Sequence, residues 1–171
     1  AHRLKLLRHL RIPDDFIDNH TRISEFSFDE SFLKNKIGID RVRRKKANEE
    51  TSDLCVKAYE NLLTRTDIIA TDIDCIIVVT QNPDIDGLPH TSAVVHKKLG
   101  LSEKCAAFDV SLGCSGYVYA LSIIESFMIL NDLKIGLLFT ADPYSKIVDP
   151  SDKNTSLLFG DAASATLINT N

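Results

Sequence analysis

Between residues 74 and 141 the hydrophobic pattern alternates between the strand period and the helix period, and no other feature of the chain narrows its fold as much. Asp74-Cys75-Ile76-Ile77-Val78-Val79-Thr80 is a short β-branched run that predicts a buried strand. Residues 81–89, with Pro83, Gly87 and Pro89, predict a loop. Residues 91–99 predict a helix closed by Gly100 as its C-cap, and residues 105–110 a second strand. Residues 117–130 predict a strongly apolar helix buried on several sides, and residues 134–141 a third strand. Strand, helix, strand, helix, strand implies parallel pairing through right-handed crossovers, hence a layered α/β fold. Upstream, Thr51-Ser52-Asp53 is a helix-start cluster, with Leu54, Cys55, Ala58, Tyr59 and Leu62 following at helical spacing. Downstream, a loop over 142–155 leads to a turn at Gly160-Asp161 and a last strand over 163–168. The first 45 residues are less regular, with a short helix expected over 29–35. Neither a repeat nor a linker is visible, so one domain is expected.

With 171 residues, 44% apolar, the chain can bury a sizeable core. Its net charge of −4 excludes nucleic-acid binding through a basic face, which needs surplus cations to displace counterions. No apolar run approaches the roughly 20 residues that span a bilayer. The basic stretch over 1–11 lacks the apolar core and cleavage site of a secretion signal; it reads as an amphipathic surface segment or as an opening strand or helix. Arg41, Arg43, Arg44, Lys45 and Lys46 form a local basic run, either a solvated face or a contact for phosphate or an acidic carrier protein.

Four cysteines, Cys55, Cys75, Cys105 and Cys114, contain no C-x-x-C pair, so zinc, other metal and thioredoxin readings are weak, and free thiols in a reducing, cytoplasmic compartment are expected. Cys114 stands apart. It lies between Gly113 and Gly116, where a strand meets a long helix, and open α/β sheets gather ligands at such carboxyl ends. A helix N-terminus favours the thiolate, and the glycines suit a tight turn with room for a ligand. The local pattern leaves two readings open, a covalent nucleophile or a small buried residue at a turn. Neither the G-x-S-x-G elbow nor the G-x-G-x-x-G dinucleotide fingerprint is present.

The segment Phe108-Asp109-Val110-Ser111-Leu112-Gly113-Cys114-Ser115-Gly116-Tyr117-Val118-Tyr119-Ala120-Leu121 closely resembles the active-site segment of β-ketoacyl-(acyl-carrier-protein) synthase III, a thiolase-fold condensing enzyme. Ile12-Pro13 through Asn19, Ile37-Gly38-Ile39 with its following arginines, Glu49-Glu50-Thr51-Ser52-Asp53-Leu54, and Leu157-Leu158-Phe159-Gly160-Asp161-Ala162-Ala163-Ser164-Ala165 resemble further segments of that family in the same order. The resemblance implies Cys114 as the nucleophile that takes an acyl group from acyl-CoA, with malonyl-acyl carrier protein as the second substrate and no separate cofactor. It implies a CoA site at Phe28, Phe32, Lys36 and Lys153, where Phe32 stands for a tryptophan and Lys153 for an arginine that stack on the adenine, and Lys36 for an arginine at the phosphates. Phe keeps less π-surface than Trp, and Lys cannot stack as a plane. Leu88 falls where the family has a phenylalanine that crosses a homodimer interface to cap the partner's acyl pocket; Leu157, Leu158 and Phe159 match pocket-lining positions, the two leucines also suiting a core. Ile37 and Leu112 depart from the family's threonine and alanine.

The family needs a histidine and an asparagine in its C-terminal half to promote decarboxylation, and none of His2, His9, His20, His90 or His96 has the matching context. The chain is thus expected to be one N-terminal half of a duplicated thiolase-like fold, a mixed layered sheet with helices on both faces, inactive in condensation alone. Two other readings are a non-catalytic or half-catalytic dimerisation subunit, and a specialised acyl transfer in lipid, polysaccharide or secondary-metabolite synthesis.

Overall fold

The computed structural model describes residues 5–170. In chain order its elements are β1 (Lys5–Arg11), β2 (Phe16–Asp18), α1 (Asn19–Arg22), α2 (Glu30–Phe32), β3 (Arg41–Arg43), α3 (Thr51–Leu63), β4 (Cys75–Val79), α4 (Thr91–Leu99), β5 (Ala106–Val110), α5 (Gly116–Leu130), β6 (Ile135–Ala141) and β7 (Ala163–Asn169). Five strands form one sheet in the order β1-β7-β6-β4-β5. β4 pairs in parallel with β5 and β6, as the crossovers require, while β7 is antiparallel to β6 and β1 antiparallel to β7. The opening basic stretch is therefore an edge strand over 5–11, paired Leu7 to Leu167; its residues 1–4 lie outside the described residues.

Because side chains alternate along a strand, the sheet sorts its apolar residues to two faces. Ile76 and Val78 of β4, Leu137 and Phe139 of β6 and Ala163 and Ala165 of β7 pack with Leu54, Ala58 and Leu62 of α3. Cys75, Ile77, Val79 and Leu138 point the other way, onto Ala120, Ile124 and Met128 of α5. The helix starts are anchored by carboxylates. Glu50 and Asp53 form a capping box at α3, and Asp109 of β5 accepts the amides of Thr91 (2.8 Å) and Ser92 (2.7 Å) at the start of α4. Gly100 closes α4 at φ +63°, as its position predicted.

The irregular N-terminal region docks beside this sheet. Asn19 donates from Nδ2 to the carbonyls of Ile39 and Leu157, each at 2.8 Å, and Ile23 and Leu33 bury Leu157 in a small core of their own. Part of the basic run over 41–46 serves this docking, while Arg41 and Lys46 stay exposed. Arg43 donates to the carbonyls of Pro13 and Asp14, Arg44 to that of Phe159, and Arg41 pairs with Asp18.

One prediction fails. Helix α5 is buried on one side only: Ala120, Ile124 and Met128 are fully enclosed, but Val118 (69%), Tyr119 (60%) and Leu130 (86%) are exposed. Its composition suits two packed sides, and this sheet covers one. No helix among the described residues is long and apolar enough to cross a membrane.

Candidate active site

Cys114 sits in the turn that carries the chain from β5 into α5, its side chain exposed. The turn closes by a hydrogen bond from the Gly116 amide to the Gly113 carbonyl (2.7 Å). The flanking glycines serve close approach, not left-handed backbone: neither has a positive φ, and a Cβ on Gly116 would lie 2.5 Å from Val79 Cγ1. Their absence of side chains presses the first turn of α5 onto the end of β4 and leaves Cys114 at the rim. Among the described residues the Cys114 amide has no acceptor, so its N–H is available, next to the positive end of a 15-residue helix.

The sulfur opens into a cleft of about 290 Å³ walled by Arg8, Val79, Tyr117, Thr140, Asp142, Tyr144 and Phe159. A second lobe of about 330 Å³ shares Arg8, Thr140, Asp142, Tyr144 and Phe159 and runs on along Leu158 and Ala163. Tyr144 and Phe159 stack with centroids 4.8 Å apart, and the Tyr144 hydroxyl donates to Gln81 Oε1 (3.2 Å). Burial, reinforced by the Asp142 carboxylate and the Cys114 sulfur, holds the Tyr144 phenol above its usual pKa.

The fully buried Asp161 fixes this wall. Its carboxylate accepts the Lys45 amide (2.7 Å), the Ser145 amide (2.8 Å) and the Ser145 hydroxyl (2.6 Å), tying the exit of β3 to the segment that bears Tyr144. Gly160 permits the approach, since a Cβ there would meet the Arg43 backbone nitrogen at 2.9 Å. Asp142 is held in turn: its Oδ1 accepts from the Thr80 hydroxyl (3.2 Å), the Gln81 amide (2.7 Å) and Asn82 Nδ2 (3.1 Å).

The other thiols form a contrast. Burial raises Cys55 well above the ordinary range, pushes Cys75 up to about 12 and Cys105 up to about 11. They are the small hydrophobes of the two cores, inert by enclosure.

The structure assembles part of the remaining candidate set. Phe28 and Phe32 stack at 4.0 Å, and Lys153 Nζ lies 5.7 Å from the Phe28 centroid, so the three form one aromatic–cation group. Lys36 is exposed on the helical segment that follows Phe32. Leu88 is 81% exposed on the loop before α4 and does not line the Cys114 cleft. Phe159 lines it; Leu157 does not, being fully enclosed, and Leu158 takes the wall position instead. His20 pairs with Glu30 and Asp40, His96 bonds the Ser102 carbonyl, His90 stands at the N-cap position of α4 without a side-chain capping bond, and none of the three lines the cleft. Sequence reasoning missed Arg8, Gln81, Asp142 and Tyr144. Their only sequence signal was position, at or just beyond strands whose ends the sheet brings together.

This geometry, a free thiol at a strand–helix junction facing a cleft, can be set beside known proteins. The family described as 3-oxoacyl-acyl-carrier-protein (ACP) synthase III matches residues 108–171, which include Cys114 and both cleft walls after it. The β-ketoacyl-(acyl-carrier-protein) synthase III of Enterococcus faecalis is 34% identical across 92% of this chain and 48% of its own length. The chain belongs to the β-ketoacyl-(acyl-carrier-protein) synthase III family. It spans about half the length of the curated synthase III relatives it matches. A crystal structure of a 3-oxoacyl-(acyl-carrier-protein) synthase III, 33% identical, superposes over 99% of this chain and 50% of that one with a TM-score of 0.91. The 3-oxoacyl-(acyl-carrier-protein) synthase of Burkholderia xenovorans, 36% identical, covers all of this chain and 51% of its own with a TM-score of 0.85. The α/β mixed sheet is thus the thiolase-like fold of synthase III.

Proposed function

We propose that this chain carries the acyl-accepting half of a β-ketoacyl-(acyl-carrier-protein) synthase III, an acyltransferase that starts fatty acid biosynthesis. One observation carries the reading: the only exposed thiol among the described residues stands at the N-terminus of α5 and faces the cleft walled by Tyr144 and Phe159. The Cys114 thiolate attacks the thioester carbonyl of acyl-CoA. The new C–S bond forms as the bond to the CoA sulfur breaks, and CoA leaves as a thiolate that takes up a proton. The unpartnered Cys114 N–H is placed to donate to the oxyanion that develops on the carbonyl. In the second step a malonyl thioester on acyl carrier protein loses CO₂; its carbanion attacks the acyl-enzyme carbonyl and returns Cys114 as thiolate.

The histidine and asparagine that assist decarboxylation belong, on this reading, to a C-terminal half outside these 171 residues, so the chain alone does not condense. The bare apolar side of α5 supports a second layer packed there. Phe28, Phe32 and Lys153 are assigned to the adenine of CoA and Lys36 to its phosphates. Phe159 bounds the acyl pocket with Leu157 behind it, and the exposed Leu88 reaches a partner subunit in a homodimer. The four free thiols fit a reducing, cytoplasmic setting.

The test is to mix the full-length protein with acyl-CoA and follow release of the CoA thiol, then to add malonyl-acyl carrier protein and follow CO₂. One CoA per chain in the first step and CO₂ only in the second supports the assignment. No CoA release from a folded protein overturns it and favours a non-catalytic subunit.

A further inference from the structure

The Cys114 cleft holds a group that an aliphatic acyl chain has no use for. Arg8, on the edge strand β1, lines both lobes of the cleft. Its Cζ lies over the Tyr117 ring, 4.8 Å from the centroid, at the second residue of α5. A cation–π contact uses no N–H acceptor, so the guanidinium donors stay free to bind a carboxylate with two hydrogen bonds. No carboxylate among the described residues lies within ion-pair distance of Arg8. Asp142, the one acid in the cleft wall, has its Oδ1 taken by three donors at the end of β4. The other polar walls answer each other: Thr140 bonds the Ser164 hydroxyl (2.7 Å) and Tyr144 bonds Gln81.

Arg8 is exposed to water, in a cleft whose other walls are the apolar Val79, Tyr117 and Phe159 and the already bonded Thr140, Asp142 and Tyr144. Once a substrate displaces that water it needs an anion. We infer that Arg8 makes this cleft selective for short acyl groups carrying a terminal carboxylate, the thioesters of dicarboxylic acids, over plain fatty acyl groups of equal length. The inference rests on the proposed acylation of Cys114 and names the substrate class of that site. The bidentate contact forms with the far carboxylate while the near thioester carbonyl meets Cys114; its N–H fork sets both orientation and discrimination.

The test uses the full-length protein and two matched pairs, succinyl-CoA against butyryl-CoA and glutaryl-CoA against pentanoyl-CoA, with adducts on Cys114 followed by peptide mass spectrometry. The carboxylated member of each pair should label Cys114 about tenfold to a hundredfold faster, the range of a charge-assisted contact. Arg8→Leu should abolish that ratio, and Arg8→Lys, which keeps the charge but not the fork, should retain part of it. Equal or faster labelling of the wild-type protein by the plain acyl groups overturns the inference, whatever the variants do, and would mark Arg8 as paired elsewhere in the whole protein. An unchanged ratio in folded Arg8→Leu overturns it equally. If no thioester labels Cys114, the proposed function fails and this inference with it.

Discussion

The two faces of the sheet are built from the same strands and are not alike. On one, α3 and α4 cover alternate residues of β4, β6 and β7 with fully enclosed apolar side chains. On the other, a single helix packs by Ala120, Ile124 and Met128 and leaves Val118, Tyr119 and Leu130 bare, with Cys114 at its open end. The first face is finished within this chain and holds the fold. The second carries the candidate nucleophile and an exposed apolar surface. Substitutions on the two faces should therefore separate stability from activity.

The largest effect belongs to the second face. Cys114→Ala should lower acyl transfer by on the order of a thousandfold or more while leaving the urea midpoint of unfolding in place, because the side chain is exposed and bonds nothing. The first face should show the reverse. Phe139→Ala or Leu62→Ala removes a fully buried side chain and should cost about 3–5 kcal/mol in chemical denaturation. An equal loss for Cys114→Ala would break the contrast.

Gly116→Ala tests the junction of the two. Its Cβ meets Val79 at 2.5 Å, so the helix start must shift, costing about 1–3 kcal/mol and displacing Cys114. Acylation should fall along with stability, which distinguishes it from both earlier variants. The thiols give a pH test. Cys75 and Cys105 are raised by burial to about 12 and about 11 from 9.0, so the unfolded chain ionises them first as pH climbs. Their contribution to stability is whole below pH 9.0 and drains away between 9.0 and about 12, read as an alkaline fall in the melting temperature. At neutral pH iodoacetamide should modify Cys114 alone. Smallest of all, Val118→Ser on the bare side of α5 should move the stability of the 171-residue chain by no more than about 0.5 kcal/mol.

Much of this was legible in the sequence because local signals carried it. The β-branched run at 75–79, the apolar spacing after Thr51 and Gly100 as a cap each reported their element, and the Gly-Cys-Ser-Gly turn reported the candidate nucleophile. What sequence could not show was which strand ends meet. Arg8 and Tyr144 are far apart along the chain and share one wall because β1 pairs with β7 and β7 with β6. The extent of α5 was readable, but its burial was not, since an apolar helix records how many partners it suits and not which are at hand. Leu157 and Leu158 are adjacent and equally apolar, yet one fills a core and the other walls the cleft.

The central claim, that Cys114 is an acyl-accepting nucleophile, is tested most directly by peptide mapping of the full-length protein after incubation with isotopically labelled acetyl- and succinyl-CoA. The account predicts one acyl group per chain, held as a hydroxylamine-labile thioester on Cys114 and absent from Cys114→Ala. A label on another residue, or a folded protein that takes up none, would contradict it.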